Sequence, residues 1–218
     1  MKIIDLSTWK RRTHYEMYSS LDFPYLNINA NVDVSKLVPW CKDNGFSLFS
    51  AIAYITSRCA NDIPELRQRI RGDQVVEHET IRASFTVLTE NDTFGFATIE
   101  YTPDFLSFNQ RVLDGIERTK QNPTIHDEPG RDDMIFLTTV TWVSFTQITH
   151  PVPLNPPDSF PRISWGKYFH QEGKLMMPLS LMANHALVDG LHVGRFFEGV
   201  QGLLDIPIPP HPNLLPDG

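Results

Sequence analysis

The chain has 218 residues, 41% of them hydrophobic and 21% charged, enough for an ordinary globular core and unlike a disordered, collagenous or coiled-coil chain. Nineteen Lys and Arg against 26 Asp and Glu leave a formal net charge of -7, which argues against a nucleic-acid partner held by bulk electrostatics. Two cysteines, Cys41 and Cys59, are too few for a disulfide framework or a thiol metal motif.

Met1 to Arg12 carries Asp5, Lys10, Arg11 and Arg12 around a short apolar patch, and reads as neither a signal peptide nor an anchor. No uninterrupted apolar run approaches the roughly 20 residues of a spanning helix. A soluble, cytoplasmic protein with no membrane partner and no metal is expected.

Lys10 to Tyr18 has Trp9, Tyr15 and Tyr18 at loose helical spacing. Tyr25 to Val34 reads as a strand with Leu26, Ile28, Ala30, Val32 and Val34 on a buried face and Asn27, Asn29, Asn31 and Asp33 on a wet one. Two helices follow. The first is capped by Ser35 ahead of Leu37 and Trp40; the second, Phe46 to Ala60, is largely apolar, with Asn44-Gly45 between them.

Leu66 to Val76 and Ser84 to Thr102 read as strands, the latter a hairpin around Glu90-Asn91-Asp92. Phe105 to Gln121 returns to helical spacing, and Pro123 to Asp133 is a polar loop. Met134 to Thr149 is rich in β-branched and aromatic residues and reads as one strand with a kink. The prolines from Pro151 to Pro161 require an extended loop. Ile163 to His170 and Leu175 to Asn184 form a hairpin through Gln171-Glu172-Gly173, and Leu191 to Leu204 is the last helix. The expected fold is one α/β domain, residues 1–207, with a mixed sheet and helices on one side. Residues 208–218 form a proline-rich tail.

The chemistry lies in Ala183-Asn184-His185-Ala186-Leu187-Val188-Asp189-Gly190-Leu191-His192. A histidine ends an apolar strand and Asp189-Gly190 opens a helix, so the imidazole stands at a strand-turn-helix junction. From the residues alone a histidine in this place is more often packed or solvated than catalytic, and Asp189 reads as a helix cap.

His-x-x-x-Asp-Gly here resembles the active-site motif of the chloramphenicol acetyltransferase family, His-His-x-x-x-Asp-Gly-Phe-His followed by a helix. Dihydrolipoyl acyltransferases and peptide-synthetase condensation domains share that motif. The resemblance extends over nearly the whole chain: Ile4-Asp5 with Trp9-Lys10-Arg11-Arg12 and His14, Phe85-Thr86-Val87 with Asp92-Thr93-Phe94, Trp142-Val143-Ser144-Phe145-Thr146, and Gly166-Lys167-Tyr168 with Met177-Pro178-Leu179 resemble the family's successive segments.

The resemblance implies acetyl transfer from acetyl-CoA to a hydroxyl through a ternary complex, with no acyl-enzyme. It makes His185 the general base, pairs Asp189 with Arg11 as a structural brace, and assigns Tyr18, Phe94 and Phe145 to the acceptor and Lys167 and Tyr168 to CoA. It implies a homotrimer with sites between subunits, which sets His185 against another chain's Tyr18 and Phe145.

Two positions depart from the family. Asn184 replaces the first histidine of the pair, and Gln147 stands where Trp-Val-Ser-Phe-Thr-Ser has its last serine, the expected oxyanion donor. Strand parity sets Gln147 on the face of Phe145, where its amide can donate; Ser164, matching a family threonine, is a water-mediated alternative. Met17, Leu26 and Phe96 also differ from the usual pocket residues. Three functions are therefore weighed: acetylation of chloramphenicol or a related phenicol, acylation of another hydroxyl or amine on the same fold, and a non-catalytic binding protein. A dihydrolipoyl acyltransferase is not expected, since no lipoyl region precedes the domain.

Overall fold

The computed structural model describes residues 1–126 and 128–206; the tail and its boundary at residue 207 lie outside the described residues. Strand β1 (Lys2–Ile4) leads to helix α1 (Arg12–Ser19), β2 (Tyr25–Asp33), α2 (Leu37–Asn44) and α3 (Leu48–Asp62). The break between α2 and α3 falls at Gly45, whose φ of 71° is left-handed and which closes α2 by donating to the Lys42 carbonyl. Ser35 does not cap α2. The residue before the helix is Lys36, and the Ser35 hydroxyl instead accepts from the Leu175 amide at 2.8 Å, tying α2 to the sheet.

The stretch expected as one strand from Leu66 to Val76 is a 3-10 turn at Pro64–Arg67 followed by a hairpin, β3 (Gln68–Arg71) and β4 (Gln74–Glu77). With β1 it forms a small antiparallel sheet of order β1-β4-β3. The larger sheet contains β5 (Arg82–Leu88), β6 (Phe94–Ile99), β7 (Met134–Val140), β8 (Arg162–Gly166), β9 (Phe169–Gln171) and β10 (Lys174–Asn184). Its order is β2-β10-β8-β7-β5-β6, with β9 paired to β10. The β5-β7 and β7-β8 pairs are parallel and the others antiparallel, so the sheet is mixed, as expected.

Register aligns Phe85, Leu137, Ile163 and Leu181 across four strands on one face. Helices α3, α4 (Phe105–Gln121) and α5 (Gly190–Leu204) cover this apolar face; Phe49 of α3 meets Phe85 edge-on at 5.2 Å. The opposite parity, Ser84, Phe136, Thr138, Ser164 and Ser180, faces away from the helices. Residues 141–161 cover it.

Two further expectations about strands fail. First, β7 ends at Val140 instead of continuing to Thr149. Its last ladder partner is Gly166, where β8 ends, so further β-prone residues have no strand to pair with. Second, β2 is not buried on one parity and wet on the other. It is a sheet edge: Val32 is buried, Ile28 is 38% exposed, and Asn27 and Asn29 are engaged by the covering segment. Asn27 donates to the Ile148 carbonyl at 2.7 Å, and Asn29 accepts from the Ile148 amide at 3.2 Å.

Gly166 allows this segment to approach. A Cβ there would lie 2.6 Å from the Val143 carbonyl oxygen and 3.0 Å from the Phe145 ring, while the Lys167 amide donates to that same carbonyl at 2.9 Å. Gly166→Ala is expected to displace residues 143–147 and to lower stability by about 1–3 kcal/mol, read as a lower urea midpoint. An unchanged midpoint would show that the segment yields freely.

Candidate active site

The apolar run of β10 delivers Asn184 and His185 to the end of the sheet. The buried Asn184 accepts from the Ala186 amide at 3.0 Å and donates to the Asp158 carbonyl at 2.9 Å, so its short amide holds both the turn and the covering loop. The His185 amide donates to the Pro24 carbonyl at 2.7 Å. That bond fixes the ring where the chain enters β2, and the end of α1 returns over it: the Tyr18 and His185 rings stack at 3.9 Å with an 8° interplanar angle. His185 Nδ1 is buried without a partner among the described residues.

Asp189 caps α5, accepting from the Leu191 amide at 3.0 Å, and also forms a short ion pair with Arg11. Burial pushes this carboxyl up, but the Arg11 bond, the His192 ring and the Leu191 amide outweigh it and hold Asp189 below the usual carboxylate value. His192 completes the turn: its Nδ1 accepts from the Asp189 amide at 3.0 Å, and its Nε2 lies 3.4 Å from Glu65. Burial holds this imidazole below its ordinary value.

A cavity of about 340 Å³ opens on the helix-free face, lined by Phe96, Phe136 and Phe160 together with Ser84, Thr138, His150 and Arg162. Arg162 makes a two-pronged pair with Asp158, and the Asp158 carbonyl is the group that Asn184 and the Tyr25 hydroxyl hold. The cavity wall is thus hydrogen-bonded to the residue next to His185.

Residues 1–201, which include this junction, match the family model for chloramphenicol acetyltransferase. The chain belongs to the chloramphenicol acetyltransferase family. A chloramphenicol acetyltransferase from a Klebsiella species is 28% identical over 203 residues, covering 93% of each chain, and chloramphenicol acetyltransferase 3 of Escherichia coli is 27% identical over 202 residues, 91% of this chain and 94% of the other. A solved chloramphenicol acetyltransferase superposes with a TM-score of 0.83 at 27% identity, over 93% of this chain and 99% of its own. The dihydrolipoamide acetyltransferase of Azotobacter vinelandii, 17% identical, has a TM-score of 0.68 over 88% and 85% of the two chains, a likeness of fold alone. The protein is an acyltransferase of the chloramphenicol acetyltransferase family.

One expectation drawn from that family is corrected: Tyr18 stacks on His185 of its own chain rather than across a subunit boundary, because residues 18–24 double back to the Pro24-His185 bond. Phe94 is half exposed and does not line the helix-free cavity, but tilts at 5.7 Å on Phe96, which does. Phe145 lies elsewhere, in a cavity of about 530 Å³ with Asn29, Ser144 and Phe169. Lys167 and Tyr168 are exposed beside it, and the Ser144 hydroxyl donates to the Lys167 carbonyl at 2.7 Å.

Gln147 is exposed in an irregular segment, so strand parity does not govern its direction. Ser164 is buried and bonded to His150 Nε2 at 2.7 Å. Sequence reasoning missed His150, the Asp158-Arg162 pair and the bracing role of His192. Only the i,i+4 spacing of Asp158 and Arg162 offered a signal.

Proposed function

We propose that this protein transfers the acetyl group of acetyl-CoA directly to a hydroxyl of chloramphenicol or a related small molecule, with His185 as general base. The observation that carries this reading is the held imidazole at the strand-turn-helix junction, stacked on Tyr18 and followed by the Arg11-Asp189 pair. Since Nδ1 is buried, Nε2 is the atom left to take a proton. The acceptor hydroxyl loses its proton to Nε2 as its oxygen bonds to the thioester carbonyl carbon. The tetrahedral intermediate then collapses, breaking the carbon-sulfur bond, and the departing CoA thiolate takes the proton back from His185.

The oxyanion needs a donor. We assign it to the Gln147 amide, because the Ser164 hydroxyl is occupied by His150. Tyr18, Phe94 and Phe145 border the acceptor, and Lys167 and Tyr168 border acetyl-CoA, the cosubstrate. The working form is a homotrimer with sites between subunits, in the cytoplasm, consistent with two free and buried cysteines. Among the described residues no helix is long and apolar enough to cross a membrane.

A second reading, acylation of a different hydroxyl or amine, is favoured by Phe96, which departs from the usual pocket residue and lines the cavity. Steady-state kinetics with chloramphenicol and acetyl-CoA separate the two. Weak chloramphenicol turnover that rises in Gln147→Ser supports the phenicol reading, since a well-placed oxyanion donor is worth about 10²–10³ in turnover. Negligible turnover in both forms favours the other acceptor. Full turnover in the natural protein, lowered by the serine, would show glutamine to be the better donor.

A further inference from the structure

The helix-free cavity contains a group that acetyl transfer by His185 does not use. His150 sits in the irregular segment before the proline cluster and reaches the cavity from the side opposite the sheet. Its Nε2 is 2.7 Å from the Ser164 hydroxyl, which is fully buried in the central strand β8 and has no other hydrogen-bond partner among the described residues. A buried hydroxyl proton needs an acceptor, and Nε2 is the one in reach. The ring proton is then on Nδ1, which has no protein partner among the described residues.

We propose that His150 is a specificity-determining residue of the acceptor cavity, its Nδ1–H donating to an oxygen of the acceptor other than the hydroxyl that is acetylated, with Ser164 fixing the tautomer.

The surroundings agree with an uncharged, oxygen-bearing acceptor. Arg162 lines the same cavity but is neutralised by two bonds to Asp158, whose carboxylate also faces the Tyr25 hydroxyl at 3.3 Å, so neither charge is left seeking a counter-ion in the ligand. Phe136, over which the Arg162 guanidinium lies at 5.5 Å, and Phe160, tilted on it at 5.1 Å, offer a flat apolar wall. Burial, and then the Arg162 charge, push the His150 imidazole below its ordinary value and keep it neutral. A neutral donor between aromatic walls discriminates by an unpaired-oxygen penalty: an acceptor without the second oxygen leaves Nδ1–H desolvated and unbonded.

The inference rests on the acetyl-transfer reading, and its test separates the two. Chloramphenicol and a simple aryl alcohol with no second oxygen are compared as acceptors at saturating acetyl-CoA, and as ligands by calorimetry. The natural protein should favour chloramphenicol in both KM and Kd. His150→Leu should raise the chloramphenicol KM by about tenfold, the worth of one hydrogen bond, while the acetyl-CoA KM and kcat hold. The aryl alcohol KM should not move, and His150→Gln, which keeps a donor, should recover most of the loss.

Because leucine strands the Ser164 hydroxyl, the double variant His150→Leu/Ser164→Ala is measured too. It should unfold at the natural midpoint and still show the raised chloramphenicol KM. A chloramphenicol KM unchanged by His150→Leu, or restored in the double variant, overturns the inference. So does binding of neither acceptor. Binding with the predicted discrimination but without acetylation overturns the catalytic reading alone.

Discussion

His185→Ala is expected to abolish acetyl transfer, with turnover falling by at least the ~10²–10⁴-fold that a positioned base contributes. A neutral alcohol is a poor nucleophile, and neither His150 nor His192 can substitute: His150 is bonded to Ser164, and His192 is held between the Asp189 amide and Glu65. The fold should survive, because the backbone bond from residue 185 to the Pro24 carbonyl does not need the ring. Circular dichroism and the unfolding midpoint should stay near those of the natural protein. Turnover above a few per cent of the natural value would remove His185 from the mechanism.

Arg11→Ala and Asp189→Ala should each lower both stability and turnover, and the double variant should cost less than the sum of the singles. Arg11 has two buried nitrogens, Nε and Nη2, without partners among the described residues, so the Asp189 bond is what compensates its charge. Losing either partner should cost about 2–4 kcal/mol, less than a fully buried pair because the Asp189 side chain remains 33% exposed. Asp189 also caps α5, so its loss should exceed that of Arg11 by the roughly 1 kcal/mol of a cap.

The pair carries a pH signature. The folded Asp189 carboxyl is below its ordinary value of 3.8, so the unfolded chain binds its proton first as pH falls. The stabilisation is complete above that ordinary value and is lost as pH drops through the folded one. Urea midpoints of Asp189→Asn should lack this acid-side loss. Strict additivity of the two single variants would show that the residues act independently.

The parts of the fold that were legible in sequence are those whose burial pattern is local. Phe105 to Gln121 is a helix at the expected bounds because Phe105, Phe108 and Val112 repeat at helical spacing and are buried. Asp189 was legible as a cap for the same reason, the signal lying within a few residues of the effect. The strand expected through Thr149 failed because β-propensity says nothing of whether a partner strand is present, and β8 stops opposite Val140.

The site was legible through its motif and not through its walls. His185, Arg11 and Asp189 follow from the resemblance, and the Arg11-Asp189 pair is found as expected. The stack of Tyr18 on its own chain's His185 depends on residues 18–24 doubling back, which no periodicity encodes. The cavity is assembled by register among β5, β7 and β8 and by a loop that crosses them, so His150 and Ser164 meet only once the sheet exists.

The measurement that tests the account most directly is release of the CoA thiol on mixing the protein with acetyl-CoA and an acceptor panel headed by chloramphenicol, with the product identified by mass spectrometry. Thiol release should require the acceptor, match the acetylated product mole for mole, leave no acetyl group on the protein, and vanish in His185→Ala. Thiol release without any acetylated acceptor, or an acetylated protein as intermediate, would contradict direct transfer by this imidazole.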